Sequence, residues 1–417
     1  MKITLTIDNR QSQKARIFWL TFGTVIISWL SLKIVLPALP SLSGVLNTDA
    51  ANIKLSVSLF LMFFAFTQPI WGGIIHWMGA RKTIYISFSI AATGSLIAML
   101  SGNIYLYILG RSMEGIGMGA VSPVARKMLV DYFDRNELVQ RIGLISGFAA
   151  SMPAIGPIVG GYLMAAFGWR AIFAFLLIII LGYLYAFYRL FPKDKLASTV
   201  PPDPKKPQPS EEAPTIRNLV KIYFEVIRSI HFWGFTLAYA CMIGGMLGYY
   251  SAMPFWYHSE HNIPVHVFSY LAVPTVGLYI TGLLVAGILV RKYDVEQVLF
   301  LGIIMATLVT VIAAILALFL PDIVIGIVII MSLYGFSAGL VGPNSNAGVL
   351  EKFKKVAAPA SALVGLVIFG ACSVTSFITM NLSVKSSLWP VVVYLGVLTG
   401  IGIIVSYFWI YIPYKSK

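Results

Sequence analysis

The stretch that decides the fold covers residues 142–165 and reads IGLISGFAASMPAIGPIVGGYLMA. It contains no charged side chain, and about 20 apolar residues are enough for a helix to cross a lipid bilayer. Gly156-Pro157 and Gly160-Gly161 lie in its second half. Proline removes a backbone donor and bends a helix, whereas glycine lets two helices approach closely inside a membrane. The stretch therefore predicts a bent, closely packed transmembrane helix.

Similar apolar stretches recur along the whole chain. The chain is 58% hydrophobic and only 11% charged, whereas a soluble domain carries about 25% charged residues. We therefore predict an all-α membrane protein with twelve transmembrane helices in two six-helix halves. The predicted spans, numbered one to twelve, are residues 17–37, 55–78, 83–101, 104–125, 142–165, 171–191, 231–253, 267–290, 298–319, 323–347, 358–382 and 388–412.

The distribution of the net charge of +14 is explained by membrane topology and not by a nucleic-acid partner. If the N-terminus is cytoplasmic, most of the 30 basic residues fall in cytoplasmic segments, and Lys54, Arg170 and Lys385 lie on the other side. Such a bias is typical of the cytoplasmic loops of membrane proteins. It predicts a multi-pass protein of the cell inner membrane with both termini in the cytoplasm, in contact with membrane lipid and without a nucleic-acid partner.

The chain divides at a polar segment between spans six and seven. Residues 192–216 are rich in proline, lysine and glutamate, which is typical of an extended linker. Residues 217–230 alternate basic and apolar groups at helical spacing, which predicts an amphipathic helix at the cytoplasmic interface. We therefore predict a first half at 1–191, a linker with this helix at 192–230, and a second half at 231–417. Two parallel repeats with a site between them are a known transporter plan.

Three charged residues lie inside predicted spans, where each costs about 2.5 to 3.5 kcal/mol on insertion scales. Arg111 and Glu114 share one face of span four, since they are three residues apart. They either form a structural salt bridge or line a cavity as a cluster linked to protons or substrate. Lys33 of span one either snorkels to an interface or faces a central cavity. Glu114 is our candidate for a proton carrier, and the summed charge of +1 favours an anion.

The remaining polar residues give weaker signals. Asn344 and Asn346 of span ten either bind substrate or hydrogen-bond neighbouring helices. His258, His261 and His266 lack the spacing of a metal site. The chain contains no phosphate-binding Gly-x-x-x-x-Gly-Lys-Ser/Thr motif and no convincing catalytic arrangement. We therefore expect no enzyme activity, no metal, no cofactor and no ATP-driven pump within this chain.

Several motifs together resemble the major facilitator superfamily, and within it the drug:proton antiporters of the Bcr/CflA type. Leu36-Pro37-Ala38-Leu39-Pro40 is similar to their first-helix signature, and Gly72 through Lys82 to the loop between helices two and three. Arg111, Gly115 and Gly117 match the helix-four motif. The resemblance implies the twelve-helix fold and proton-coupled transport. It also implies a conformational role for a set of loop and helix-five residues, namely Gly72, His76, Gly79, Arg81, Gly143, Gly156, Pro157, Gly160 and Gly161.

Two departures from the subfamily pattern look like an exchange of charge. Lys33 stands where an acidic residue usually precedes the first-helix signature, and Glu114 stands where helix four usually has glutamine. The exchange disfavours cationic drugs and favours anionic or zwitterionic substrates, such as carboxylate-rich metabolites or siderophores. We therefore predict a monomeric, proton-coupled exporter of a small organic molecule. The alternatives are an importer or facilitator of an organic anion and a non-transporting membrane receptor.

Overall fold

The computed structural model describes residues 2–133, 135–192, 216–259, 263, 267, 270–319, 324–353, 356–382 and 389–415. Most of the predicted linker, His261 and His266 lie outside this set. The described part of the chain is helical and contains no strand. Its principal helices are Lys2–Lys33, Leu39–Val45, Ala50–Leu100, Ile104–Met118, Val121–Tyr132, Arg135–Phe167, Trp169–Leu190, Ile216–Ile227, Ile230–Ser259, Val273–Leu289, Val295–Phe319, Val324–Lys352, Ala357–Asn381 and Trp389–Ser406.

These helices account for the twelve predicted spans. Ten segments are long and apolar enough to cross a membrane. They correspond to spans one to three, five to seven and nine to twelve. Span eight is the shorter apolar helix Val273–Leu289, and span four is divided between Ile104–Met118 and Val121–Tyr132. The all-α, twelve-helix prediction is therefore confirmed, with irregularities inside two of the spans.

Span one is broken where the sequence predicted a continuous helix at 17–37. The first helix ends at Lys33, a short 3-10 segment covers Leu36–Ala38, and a second helix continues over Leu39–Val45. Pro37 has no N–H to donate to the Lys33 carbonyl, and proline also disfavours helical geometry in the residue before it. The prediction for this span was wrong at its end, because the span continues to Val45.

Span four is also broken, at Gly119 and Ala120, inside the predicted helix 104–125. A side chain at Gly119 would collide with the hydroxyl of Thr67 on span two. The glycine therefore allows the two spans to lie in close contact. By contrast, Pro153 and Pro157 are accommodated within the continuous helix of span five.

Glycines set the packing of the central spans in both halves. A Cβ atom at Gly115 of span four would collide with the Phe60 carbonyl of span two, and one at Gly339 of span ten would collide with the Tyr279 carbonyl of span eight. The pairs four–two and ten–eight occupy matching places in the two predicted halves. This correspondence supports the repeat, and the boundaries of the halves stay a prediction.

The halves meet along spans two and eleven and along spans five and eight, in addition to contacts of span one. Span eleven packs along span two, where the Ser373 hydroxyl donates to the Ser58 carbonyl at 2.7 Å. The rings of Phe64 and Phe369 meet edge to face at 4.7 Å in the same seam. Span five meets span eight through the hydroxyls of Tyr162 and Tyr270, which lie 2.7 Å apart. The candidate site lies beside the first of these seams.

Candidate functional site

Lys33 lies at the break of span one and faces the second half. It is the last residue of the first helix, and its side chain is only 2% exposed. The ammonium nitrogen is 5.5 Å from the ring centroid of Tyr250 on span seven, and the Cys372 thiol of span eleven lies within electrostatic range. No carboxylate in the described part of the chain pairs with it. Lys33 is therefore enclosed by protein, and the snorkelling alternative does not fit its position.

Arg111 and Glu114 form a buried ion pair inside the first half. The Glu114 carboxylate also accepts a hydrogen bond from the Ser95 hydroxyl of span three. The Arg111 guanidinium donates to the Ser31 carbonyl of span one at 3.4 Å and stacks 4.2 Å from the Phe60 ring of span two. The predicted pairing on one helix face is present, and all these neighbours belong to the first half.

The three intramembrane charges therefore do not form one cluster. Within the described residues, no direct contact joins Lys33 to Arg111 or Glu114, so the summed charge of +1 does not describe a single cavity. The link between them is indirect. Ser31, which accepts from Arg111, belongs to the last turn of the helix that ends at Lys33. Arg111 therefore contacts the backbone of the helical turn that carries Lys33.

Span five packs directly against this broken end of span one. A Cβ atom at Gly156 would lie 2.7 Å from the Lys33 Cβ, and one at Gly160 would collide with the Ile34 carbonyl oxygen. Only glycine permits such an approach of two backbones. Pro157 and the buried Gly161 belong to the same helix, as does Gly143 near its start. The close packing predicted for the motif is present, and its target is the segment that carries Lys33.

Spans two and three form the single helical segment Ala50–Leu100, which is kinked between the two spans at Gly79. The backbone φ of Gly79 is 73°, a value that residues other than glycine rarely adopt. A Cβ atom at Gly72 would lie 3.7 Å from the Tyr223 hydroxyl and 3.9 Å from the Ala362 Cβ, so this position faces the cytoplasmic helix and span eleven. Arg81 is half-buried, and the side chain of His76 lies outside the described set. The roles of these residues stay predictions.

The two asparagines of span ten bond to their own helix. Asn344 donates to the Leu340 carbonyl at 2.7 Å, and Asn346 donates to the Gly342 carbonyl at 3.1 Å. Neither bond reaches a neighbouring span. Hydrogen bonds that do join span ten to span seven include those of Ser345, which donates to the Phe235 carbonyl at 2.6 Å, and of Tyr334, which donates to the Met242 carbonyl at 3.2 Å.

Sequence reasoning missed Tyr250, the residue that meets Lys33 across the halves. It is one of 21 tyrosines in the chain, and it lies in an apolar span where an aromatic residue needs no special explanation. Ser95 and Ser31 were missed for the same reason, because serines are common in membrane helices. A usable signal was available only for Lys33 itself, since a charged residue inside a membrane span is rare and costly.

The comparisons with known proteins agree with this architecture. An MFS-type transporter of Bacillus subtilis, YdgK, is 27% identical over 346 residues, which cover 82% of each chain. A chloramphenicol resistance protein of Pseudomonas aeruginosa is 25% identical over 88% of this chain and 84% of its own. A bicyclomycin resistance protein homolog of Haemophilus influenzae is 22% identical over 95% of this chain and 97% of its own.

The family profile matches nearly the whole membrane region. The profile of the Major Facilitator Superfamily covers residues 21–375, from the first span to the middle of span eleven. The resistance proteins among the relatives agree with the resemblance to Bcr/CflA-type drug:proton antiporters. The chain is therefore a membrane transporter by family, and it belongs to the Major Facilitator Superfamily.

Proposed function

We propose that the protein exports a small anionic or zwitterionic organic molecule in exchange for protons. The observation that carries this proposal is Lys33, a buried cation at the junction of the halves that no described carboxylate neutralises. A buried charge without a partner is costly, so an anionic group on the substrate is a favourable partner. The resistance proteins among the relatives favour export over import.

Proton exchange requires a group that takes up a proton when the substrate is absent. Lys33 alone gives the opposite coupling, because a bound anion stabilises its protonated form and the two then travel together. A carboxylate away from the anion site avoids this constraint. Glu114 is the carboxylate buried within a span in the described part of the chain, and we assign it the proton.

The contacts of Arg111 supply a route between the two sites. When Glu114 is ionised, Arg111 is held by its carboxylate. Protonation of Glu114 weakens that pair and leaves the guanidinium to the Ser31 carbonyl, which lies in the last turn before Lys33. The broken end of span one then responds to the proton, and the glycine contacts of span five transmit the change.

A second candidate function is the uptake of an organic anion together with a proton. The observation that favours it is the enclosure of Glu114, whose side chain is 0% exposed and bonded to Ser95 and Arg111. If that pair never opens, Lys33 is left as the ionisable group in contact with both halves. Its coupling sense is then symport.

One experiment separates these functions. Metabolites are first compared inside and outside cells with and without the protein, which identifies the transported compound. The purified full chain is then reconstituted in vesicles that contain a pH-sensitive dye, and that compound is loaded inside. Antiport predicts internal acidification as the compound leaves, whereas symport predicts internal alkalinisation. A receptor without transport activity predicts no flux of either kind.

We also propose an inner-membrane location with both termini in the cytoplasm and a monomeric state. The asymmetry of basic residues supports the orientation. Reporter domains fused at the two termini test it, since a cytoplasmic reporter must be active in both fusions. The mass of the purified protein–detergent complex tests the monomer.

A further inference from the structure

The surroundings of Lys33 are aromatic on two sides. Trp29 lies one helical turn before Lys33 and shares its face of span one. The Trp29 ring is 6.1 Å from the Phe369 ring of span eleven, and Phe369 precedes Cys372 by one turn. The ring of Tyr250 faces the ammonium from span seven. Trp29 and Phe369 are only half-buried, so both rings keep surface that another ring can cover.

Among the described residues, Lys33 lacks a counter-ion and the Tyr250 hydroxyl lacks a hydrogen bond of normal geometry. No carboxylate of the described residues reaches Lys33. The Tyr250 hydroxyl is buried and forms no hydrogen bond of normal geometry, although the Thr275 side chain lies close to it. Buried polar groups are nearly always paired in native structures. A carboxylate accepts from an ammonium and from a phenol at the same time, so a single ligand group can satisfy both.

The end of the first helix limits the charge of that ligand. Lys33 is the last residue of the helix, and a helix C-terminus carries a partial negative charge. It therefore disfavours a dianion such as phosphate. One lysine beside a helix C-terminus suits a group with a single negative charge.

We propose that this place recognises an aromatic carboxylate. The carboxylate binds the Lys33 ammonium and the Tyr250 hydroxyl, and the aromatic ring packs against Trp29 and Phe369. The inference rests on the proposed function only in taking Lys33 as the substrate-binding group. It requires neither export nor proton exchange.

The test measures binding of 2-naphthoate to the purified full chain in detergent by equilibrium dialysis. The comparison ligands are decahydro-2-naphthoate, which keeps the charge without the aromatic ring, and 2-naphthamide, which keeps the ring without the charge. Aromatic packing predicts that 2-naphthoate binds about 2- to 10-fold more tightly than its saturated analogue. Loss of the buried charge contact predicts binding of the amide that is weaker by about 30-fold or more.

Three variants locate the site. Lys33→Met is expected to weaken 2-naphthoate binding by about 30-fold or more, and Tyr250→Phe by about 10-fold through loss of one charge-assisted hydrogen bond. Phe369→Leu is expected to remove the preference for the aromatic acid over the saturated one. Phe66→Leu is the matched control, since Phe66 is 58% exposed on span two. Melting curves verify that each variant is folded.

The inference is overturned if the saturated and aromatic acids bind equally, or if folded Lys33→Met binds 2-naphthoate like the parent chain. Tighter binding of inorganic phosphate than of 2-naphthoate also overturns it. These results are independent of the direction of transport. Selective binding without pH-driven flux supports this site and contradicts the proposed exporter. By contrast, pH-driven export by a chain that does not bind 2-naphthoate supports the exporter and contradicts this site.

Discussion

The buried pair of Arg111 and Glu114 offers the most decisive perturbation. Glu114→Leu removes the carboxylate and leaves the Arg111 guanidinium with two partners, neither of which carries a negative charge. One is the Ser31 carbonyl at 3.4 Å, beyond the usual hydrogen-bond range of about 2.7 to 3.2 Å. The other is the Phe60 ring at 4.2 Å, and such a contact contributes about 2 kcal/mol or more when desolvated. Because breaking a buried pair costs about 3 to 5 kcal/mol, we expect a loss of stability in this range.

A double variant separates stability from coupling. Arg111→Met with Glu114→Leu removes both charges, and replacement of a buried pair by apolar side chains is often neutral or stabilising. We therefore expect the double variant to regain most of the stability lost by Glu114→Leu. If Glu114 carries the coupling proton, the double variant is folded and still exchanges substrate, but it no longer drives uphill transport from a pH gradient.

The assays are thermal unfolding in detergent and uphill transport in proteoliposomes with an imposed pH gradient. Glu114→Gln is the conservative companion, since its amide can still bond to Arg111 and Ser95. It is expected to keep counterflow exchange and lose the dependence on the pH gradient. A folded double variant with undiminished pH-driven accumulation refutes the assignment of the proton to Glu114. The pair is then a structural lock of the first half, and Lys33 becomes the coupling group.

Three further changes act on the broken end of span one. Lys33→Ala is expected to abolish or redirect transport while the protein stays folded, and Lys33→Asp to shift preference towards cations. Full transport of the native substrate by a folded Lys33→Ala contradicts this. Gly156→Leu and Gly160→Leu should each lower transport and cost about 1 to 3 kcal/mol of stability through overpacking. Gly182→Leu is the control for both, since no atom lies within 4 Å of a Cβ at this position. If the three glycine variants behave equally in melting and flux assays, the packing argument is wrong. Pro37→Ala restores the backbone N–H that can donate to the Lys33 carbonyl. We therefore expect an equal or higher melting temperature and slower transport. Unchanged transport would show that the break in span one is not needed for transport.

The spans could be predicted from the sequence because the membrane signal is local. Hydrophobic length decides whether a segment crosses, and each segment carries that information by itself. The breaks are different, because proline has two outcomes in this chain. Pro69, Pro157 and Pro343 lie within continuous helices, whereas Pro37 follows a helix that ends. The outcome depends on which neighbouring spans satisfy the freed backbone groups, and the sequence does not state which spans are neighbours.

The candidate site divides in the same way. Lys33, Arg111 and Glu114 could be found because charge in a bilayer is rare and costly. The distinction between them required the structure. The sequence pattern placed all three charges in one electrostatic group. In the packed structure, the ion pair lies inside the first half, whereas Lys33 faces the second half. Tyr250 became visible only through that packing.

Three separate contacts converge on the segment around Lys33. The Ser31 carbonyl accepts a hydrogen bond from the Arg111 guanidinium. Gly160 of span five lies close to the Ile34 carbonyl, and the Lys33 ammonium lies over the ring of Tyr250 in the other half. Under the proposed function, a proton at Glu114, a shift of span five and a ligand at Lys33 would all act on the same few backbone atoms. If the anion and the proton each favour one position of this segment, the anion changes the proton affinity of Glu114 by the same factor as the proton changes the affinity for the anion. The break in span one is thus the place where substrate, proton and conformation can be coupled without direct contact between Lys33 and Glu114.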